Sequence, residues 1–449
     1  MNTAKPQTSV DLTKVAEYAL DYAKSQGMQQ ADVSLNTGTG ISVSARQQEL
    51  ETVEKHNDAQ VIIRVYKEHK TGSASSADMS EEGIRSTVDA AVSIAKFTGA
   101  DECLGLADKE LMATNLKDLD LYHPSSNDVS EMAQTALACE QAALDFDSRI
   151  SNSEGAAVDS YSGSAVYANS HGFISEKFAS QNSVSCSVIG SEQNNPRAMQ
   201  RDYFYDSNRN PSKLMAAVEI GREAASRTIK RLGGRQLAST QTPVLFDPRV
   251  AKSLIGHLVG ALNGSAIYKK ASFMLDKVDS QVLPNFVTIA ENPHLLGGAA
   301  SSTHDNEGVA TLEYRPIVNQ GVLQSYVLGS YTARKLGLTS TANAGGVRNL
   351  SVSDSGQDFT QLLQQMDTGL LVTELIGSGI NPVTGDYSRG AAGFWVEGGE
   401  ILYPIEEITI AGNLIDIYQN IVAVGNDLDL RGNIHCGSIL VENLTVAGS

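Results

Sequence analysis

The chain has 449 residues, enough for roughly two to four domains with cores of their own. Its 41% hydrophobic and 19% charged residues are ordinary for a globular protein, and a formal net charge of −18 argues against free nucleic acid and anionic membrane as direct partners. Cys103, Cys139, Cys186 and Cys436 form no CxxC pair, Met1–Gln7 has no apolar signal core, and no run approaches about eighteen apolar residues, so the sequence reads as cytosolic, with no disulfide framework and no membrane span.

An amphipathic helix comes first, with Leu12, Val15, Ala16, Ala19, Leu20 and Ala23 on one face. Strand-like runs follow at residues 31–36, 41–46, 50–56 and 61–67, separated by the turn formers Gly38, Gly40, Asn57 and Asp58. Ser80 then caps a helix that places Ile84, Val88, Ala91 and Ala95 together. This α-β4-α order over residues 1–115 predicts an antiparallel sheet with helices on one side. A polar linker at 118–126 leads to a second α+β domain, residues 125–235. There a helix over 129–146, strands at 156–159, 164–169, 172–178 and 183–189, and a helix over 211–229 repeat the order. The repeat fits a structural duplication or two unrelated α+β layers.

A second linker at 232–241 opens the third domain, 241–449. Its first helix has Asp247 as N-cap and Pro248 at the first helical position, and buries Val250, Leu254, Ile255, Leu258, Val259 and Leu262. Gly256 and Gly260 sit in the same helix at a cost of about 1 kcal/mol each relative to Ala, so close backbone packing is expected there. Short β-like runs then alternate with Gly377, Gly379, Gly385, Gly390, Gly393, Gly398 and Gly399, the pattern of a twisted barrel-like or sandwich sheet. The expected fold class is α+β: two α/antiparallel-β units followed by a glycine-rich, mainly β C-terminal domain.

Three places carry candidate chemistry. His257 lies between the helical glycines, and His435-Cys436-Gly437 offers a second imidazole and a thiol. In His304-Asp305-Asn306-Glu307-Gly308 the carboxylates form either an acid/base pair, if burial separates their pKa values, or a turn capped by Asp305 and Asn306. Asp386-Tyr387-Ser388-Arg389-Gly390 misses the nucleophile elbow G-x-S-x-G at its first glycine, and neither phosphate-loop pattern occurs.

The segments Gly72-Ser73-Ala74-Ser75-Ser76, Asn169-Ser170-His171-Gly172, Gly256–Ala261, Ser330–Leu338, Thr384–Gly393, Thr409–Asn413 and Val424–Asp427 occur in an order that resembles the PmbA/TldD family along the whole chain, and within it the PmbA (TldE) branch. The resemblance implies a metalloprotease or gyrase-modulator label and a cytoplasmic TldD–PmbA heterodimer acting on unfolded peptides, in antitoxin breakdown and microcin precursor maturation. In the TldD branch the helix carries His-Glu-x-x-x-His and a C-terminal cysteine completes a zinc site. Here Gly256, His257 and Ala261 stand at the helical positions, and Cys436 stands at the cysteine. Hence His257 and Cys436 are the metal candidates, no catalytic residue is assigned, and zinc is expected in a TldD-type partner rather than in this chain alone. His304, Asp305, Glu307, Asp386 and Arg389 are assigned to a substrate-chamber lining, and the isolated chain is expected to pair with itself. Two rivals stand beside this reading: a metallopeptidase in its own right using His257 and Cys436, and a regulatory binding protein without proteolysis.

Overall fold

In the computed structural model, which describes residues 11–126 and 128–448, helix α1 (Leu12–Ser25) begins where the Asp11 carboxylate accepts a hydrogen bond from the Lys14 amide at 3.3 Å. Met1–Gln7, Asn127 and Ser449 lie outside the described residues. Three strands follow α1: β1 (Gln30–Arg46), β2 (Glu49–Lys67) and β3 (Lys70–Ser76). Helix α2 (Glu81–Phe97) closes the unit, its Ser80 hydroxyl accepting from the Gly83 amide at 3.1 Å. The buried alanines of both helices let them lie close on the sheet. At Gly72 the fit is so tight that a Cβ would stand 2.0 Å from the Ala91 carbonyl oxygen.

The second unit repeats the order with α3 (Val129–Leu144), β4 (Ile150–Asn169), β5 (Ile174–Glu192), β6 (Asn195–Asn208) and α4 (Ala217–Lys230). Here the close contact is between the two helices: a Cβ at Gly221 of α4 would meet the Cys139 carbonyl oxygen of α3 at 2.0 Å. Each unit is therefore α-β3-α, not α-β4-α. The runs at 31–36 and 41–46 are one strand, as are those at 50–56 and 61–67. Gly38 and Gly40 are not turns: a Cβ at Gly38 would lie 2.1 Å from the Tyr161 hydroxyl, and one at Gly40 2.9 Å from the same ring. They make room for a tyrosine lying across the sheet, which is what a strand-interior glycine often marks. The fourth helix starts at Ala217, because Pro211–Lys213 forms only a separate 3-10 turn.

β1 pairs antiparallel with β4, so the two units share a single six-stranded sheet in the order β3-β2-β1-β4-β5-β6. The β1–β2 turn is tied to the other unit. Gln47 and Gln48 have φ of 54° and 61°, and their amides both donate at 2.8 Å to the fully buried Glu140 carboxylate on α3. The segment 118–126 runs along β5, where the Leu121 carbonyl accepts from the Ser180 amide at 2.9 Å.

The remaining strands are β7 (Thr240–Phe246), β8 (Ile289–Glu291), β9 (Arg315–Asn319), β10 (Val322–Leu323), β11 (Leu350–Val352), β12 (Gly369–Ile376), β13 (Asp386–Glu397), β14 (Glu400–Asn413), β15 (Ile421–Val424), β16 (Ile434–His435) and β17 (Ile439–Ala447). They form a smaller sheet, β10-β9-β8-β11-β16, and a larger one, β14-β13-β12-β7-β17-β15. In the larger, Thr409–Ala411 of β14 also pair with Thr445–Ala447 of β17, closing the sheet into a barrel. Helix α5 (Pro248–Ala261) packs on this barrel through Val250, Ala251, Leu254, Ile255, Leu258 and Ala261, and the Tyr418 hydroxyl donates to the Leu254 carbonyl at 2.8 Å. Among the described residues no helix is long and apolar enough to cross a membrane.

Candidate functional site

Helix α5 is started by Asp247, whose carboxylate accepts from the Arg249 amide at 2.9 Å, with Pro248 following. Its apolar stripe fixes which face meets the barrel, and Ser253, Gly256, His257 and Gly260 are left on the other side. The expected close packing at the glycines is not there: no atom lies within 4 Å of where a Cβ would stand at Gly256 or Gly260. The glycines face open space instead. His257 is half-buried, and its Nε2 is shut off from solvent without a hydrogen-bond partner. Its ring meets that of Tyr387 edge-on at 6.2 Å. Burial, and after it the charge of Arg389, lowers the imidazole pKa, so His257 is neutral at pH 7.

Tyr387 and Arg389 stand two residues apart on β13, on one face of the strand. Burial pushes the Tyr387 phenol up to about 12, an effect that Arg389 opposes, although no hydrogen bond of good geometry satisfies the hydroxyl. The Arg389 Nε is likewise buried without an acceptor. Arg389 lines a cavity of about 510 Å³ together with Arg201, Asp202, Arg231, Arg249, Ser253 and Glu374. Arg249 reaches Asp247 at 3.1 Å and Asp202 at 3.7 Å, and Arg231 reaches Asp202 at 3.6 Å and Glu374 at 2.5 Å.

Cys436 is not an available ligand. Its thiol is fully buried in the barrel core and donates to the Gly437 carbonyl at 3.2 Å. Burial, followed by Asp427 and Asp429, raises its pKa well above the ordinary thiol range, which opposes the thiolate that a metal needs. His435 turns back to the Gly432 carbonyl at 3.3 Å. Among the described residues no three of His, Cys, Asp and Glu come together in a way that would hold a metal ion. A closed zinc site takes four protein ligands and a catalytic one usually three, so the donors around His257 and Cys436 do not fit zinc.

The chamber-lining assignments fall in different settings. His304 and Asp305 are buried in a turn against β5. The His304 ring bonds the Asp305 carbonyl at 2.7 Å and the Ser175 hydroxyl at 2.8 Å, and burial, with Lys177 and Arg348 adding to it, lowers its pKa to about 4. Asp305 accepts from the amides of Glu307 at 2.8 Å, Val309 at 3.0 Å and Ala344 at 3.0 Å, while burial and then Glu307 raise it to about 6. Glu307 accepts from the Ser330 amide at 2.8 Å. These bonds describe a turn whose carboxylates hold backbone. Asp386 is exposed at the start of β13 and accepts from the Thr384 hydroxyl at 2.6 Å, so of the five residues Arg389 alone lines the cavity beside α5.

Two buried charges escaped the sequence reading. Lys177 donates to the Ser302 hydroxyl at 2.5 Å, and burial lowers its pKa to about 8. Asp32 accepts from the Tyr66 hydroxyl at 3.3 Å, opposite Arg64 in the β1–β2 register, and burial raises it to about 6. Sequence carried no signal for Asp32, because it alternates with the apolar Ala31, Val33 and Leu35 and shares its face with Gln30 and Ser34, as a solvent-facing residue would.

Models of the PmbA/TldA metallopeptidases match in series: domain 1 at residues 31–95, the central domain at 122–232 and the C-terminal domain at 239–448. The metalloprotease PmbA of Escherichia coli O157:H7 is 48% identical over 97% of this chain and 96% of its own length. A crystal structure from Bacteroides thetaiotaomicron, described as a modulator of DNA gyrase, superposes with a TM-score of 0.92 at 28% identity, covering 98% of this chain and 100% of that one. TldE of Thermococcus kodakarensis shares the fold, with a TM-score of 0.82 at 19% identity over 97% of this chain and 100% of its own. The chain belongs to the PmbA/TldD family.

Proposed function

We propose that this chain is the PmbA (TldE) subunit of a cytoplasmic two-subunit metallopeptidase system, with the catalytic zinc carried by a TldD-type partner. The observation that carries the reading is the contrast between a fold kept along the whole chain and a donor set reduced to His257 and a core thiol, Cys436. Without ligands to hold a metal-bound water and a carboxylate to deprotonate it, the face of α5 that carries His257 has no hydrolytic centre of its own. The role left to this subunit is to shape the chamber and bind unfolded peptide, in reactions such as antitoxin breakdown and microcin precursor maturation. Residues 49–60 of β2 are exposed and lie beyond the reach of β3, which pairs only with Val61–Lys67, so they offer a sheet edge to an extended peptide. In isolation the chain is proposed to pair with itself.

The test is peptide cleavage and metal content, measured on this chain alone and with a TldD-type partner. Alone it should show background hydrolysis and no stoichiometric zinc; with the partner, cleavage should appear. Changing the glutamate of the partner's His-Glu-x-x-x-His should abolish that cleavage, and His257→Ala or Cys436→Ser here should spare most of it. A second reading takes its support from the name metalloprotease borne by the Escherichia coli relative. Chelator-sensitive hydrolysis by this chain alone, with one zinc per chain lost in His257→Ala, would establish that reading and overturn the first.

A further inference from the structure

Of the nine buried side-chain nitrogen and oxygen atoms without a hydrogen-bond partner among the described residues, three belong to neighbours: His257 Nε2, the Tyr387 hydroxyl and Arg389 Nε. Buried polar groups are nearly always satisfied, so three orphans in one place call for a missing partner. All three can donate. The guanidinium is a donor only, the phenol is protonated at neutral pH, and a neutral imidazole can place its proton on Nε2. The Tyr387 oxygen can accept from Arg389, which lowers the phenol pKa as a hydrogen bond does, so what the cluster lacks is a further acceptor for its remaining donors.

The charges around the cavity say which kind of acceptor. Arg201 is paired with Glu154, Arg231 with Asp202 and Glu374, and Arg249 with Asp202 and Asp247. The four acids match the four arginines in number, but none lies within ion-pair distance of Arg389 among the described residues, so its guanidinium has no direct partner. Asp202 and Glu374 on the same cavity wall disfavour an ion of higher charge. The cavity reaches α5 at Arg249, Val250 and Ser253, and the same helix faces open space at Gly256 and Gly260.

We propose that Arg389, flanked by Tyr387 and His257, binds a single carboxylate, and that the carboxylate is the C-terminus of an extended peptide. The guanidinium fork matches a carboxylate through two parallel hydrogen bonds, and the phenol and imidazole supply further donors. The carboxylate follows from the donors and the charge; the peptide as its bearer rests on the function proposed above.

The experiment is calorimetric titration of the full chain at low salt with an unstructured hexapeptide as free acid, with the same peptide amidated at its C-terminus, and with acetate and inorganic phosphate in separate arms. The free acid should bind at least tenfold more tightly than the amide. Arg389→Gln should erase that difference with an unchanged circular-dichroism spectrum, and Arg389→Lys should keep part of it. Equal binding of acid and amide, binding of neither, or a preference that survives in Arg389→Gln would overturn the site. Phosphate binding more tightly than the peptide acid would overturn the single-carboxylate assignment, and acetate matching the peptide acid would overturn the peptide as its bearer. Assembly with a TldD-type partner is measured separately. Assembly without acid preference sinks this inference alone, and acid preference without assembly sinks the subunit role alone.

Discussion

Gly256→Ala separates two accounts of the α5 glycines. If they were there for close packing, a methyl group would force the helix off its neighbour and destabilise the fold. The structure has nothing within 4 Å of the added carbon at Gly256 or at Gly260, and neither has a positive φ. Alanine is therefore free of clash, and the intrinsic helix preference decides the sign: about 0.8–1.0 kcal/mol in favour of Ala within a helix interior. Gly256 is the cleaner site, since Gly260 lies in the last turn of a helix ending at Ala261, where the gain is smaller. For a unit the size of the C-terminal domain, about 1 kcal/mol corresponds to a rise of about 2–4 °C in Tm. The assay is thermal unfolding followed by circular dichroism, with amide hydrogen exchange reporting protection along α5. A fall in Tm of 2 °C or more in Gly256→Ala would refute the argument, because it would mean that the space is filled.

The opposite result is expected at Gly72→Ala and Gly221→Ala, where the new Cβ would lie 2.0 Å from a helix carbonyl oxygen: a loss of about 1–3 kcal/mol or more, read from urea midpoints. Glu140→Ala strands two backbone amides at the β1–β2 turn and should cost about 2–4 kcal/mol by the same measurement, since hydrogen bonds to a charged group contribute about 1.5–3 kcal/mol each. His304 has its pKa depressed from 6.5 to about 4, so the unfolded chain takes up the proton first and the stability it contributes is lost as pH falls from about 6.5 towards 4. That gap corresponds to about 3 kcal/mol, so urea midpoints between pH 7 and pH 4.5 should fall less in His304→Gln than in the wild type. Asp32 and Asp305, both raised to about 6, act in the other direction, their protonated forms favouring the fold as pH drops through 6, and they are common to both proteins.

Local patterns carried the fold class and missed the strand lengths. The caps at Ser80 and Asp247 and the apolar stripes behind them mark helices, because both signals lie within a few residues of each other. Gly38 and Gly40 read as breaks because a glycine looks the same whether it makes a turn or makes room, and the ring it makes room for, Tyr161, is more than a hundred residues away. The same ambiguity ran the other way in α5. There, glycines at helical spacing looked like a contact surface, yet they face open space.

The site shows the limit more sharply. His257 and Cys436 were both found from sequence, but their distance from usefulness as metal ligands depends on burial, and no local pattern reports that the Cys436 thiol is committed to the Gly437 carbonyl inside the core. Arg389 was placed with four other polar residues as a chamber lining, and only the fold separates it from them. What singles it out is position across the chain: Glu154 lies against Arg201, Asp202 and Glu374 against Arg231, Asp247 and Asp202 against Arg249, and no acid lies within ion-pair distance of Arg389 among the described residues. The carboxylate site proposed above asks for no local motif: it needs α5 and β13 held side by side so that His257, Tyr387 and Arg389 meet. That is a demand on the whole fold: α5 must sit on the barrel through its apolar stripe, and β13 must present Tyr387 and Arg389 on one face beside it.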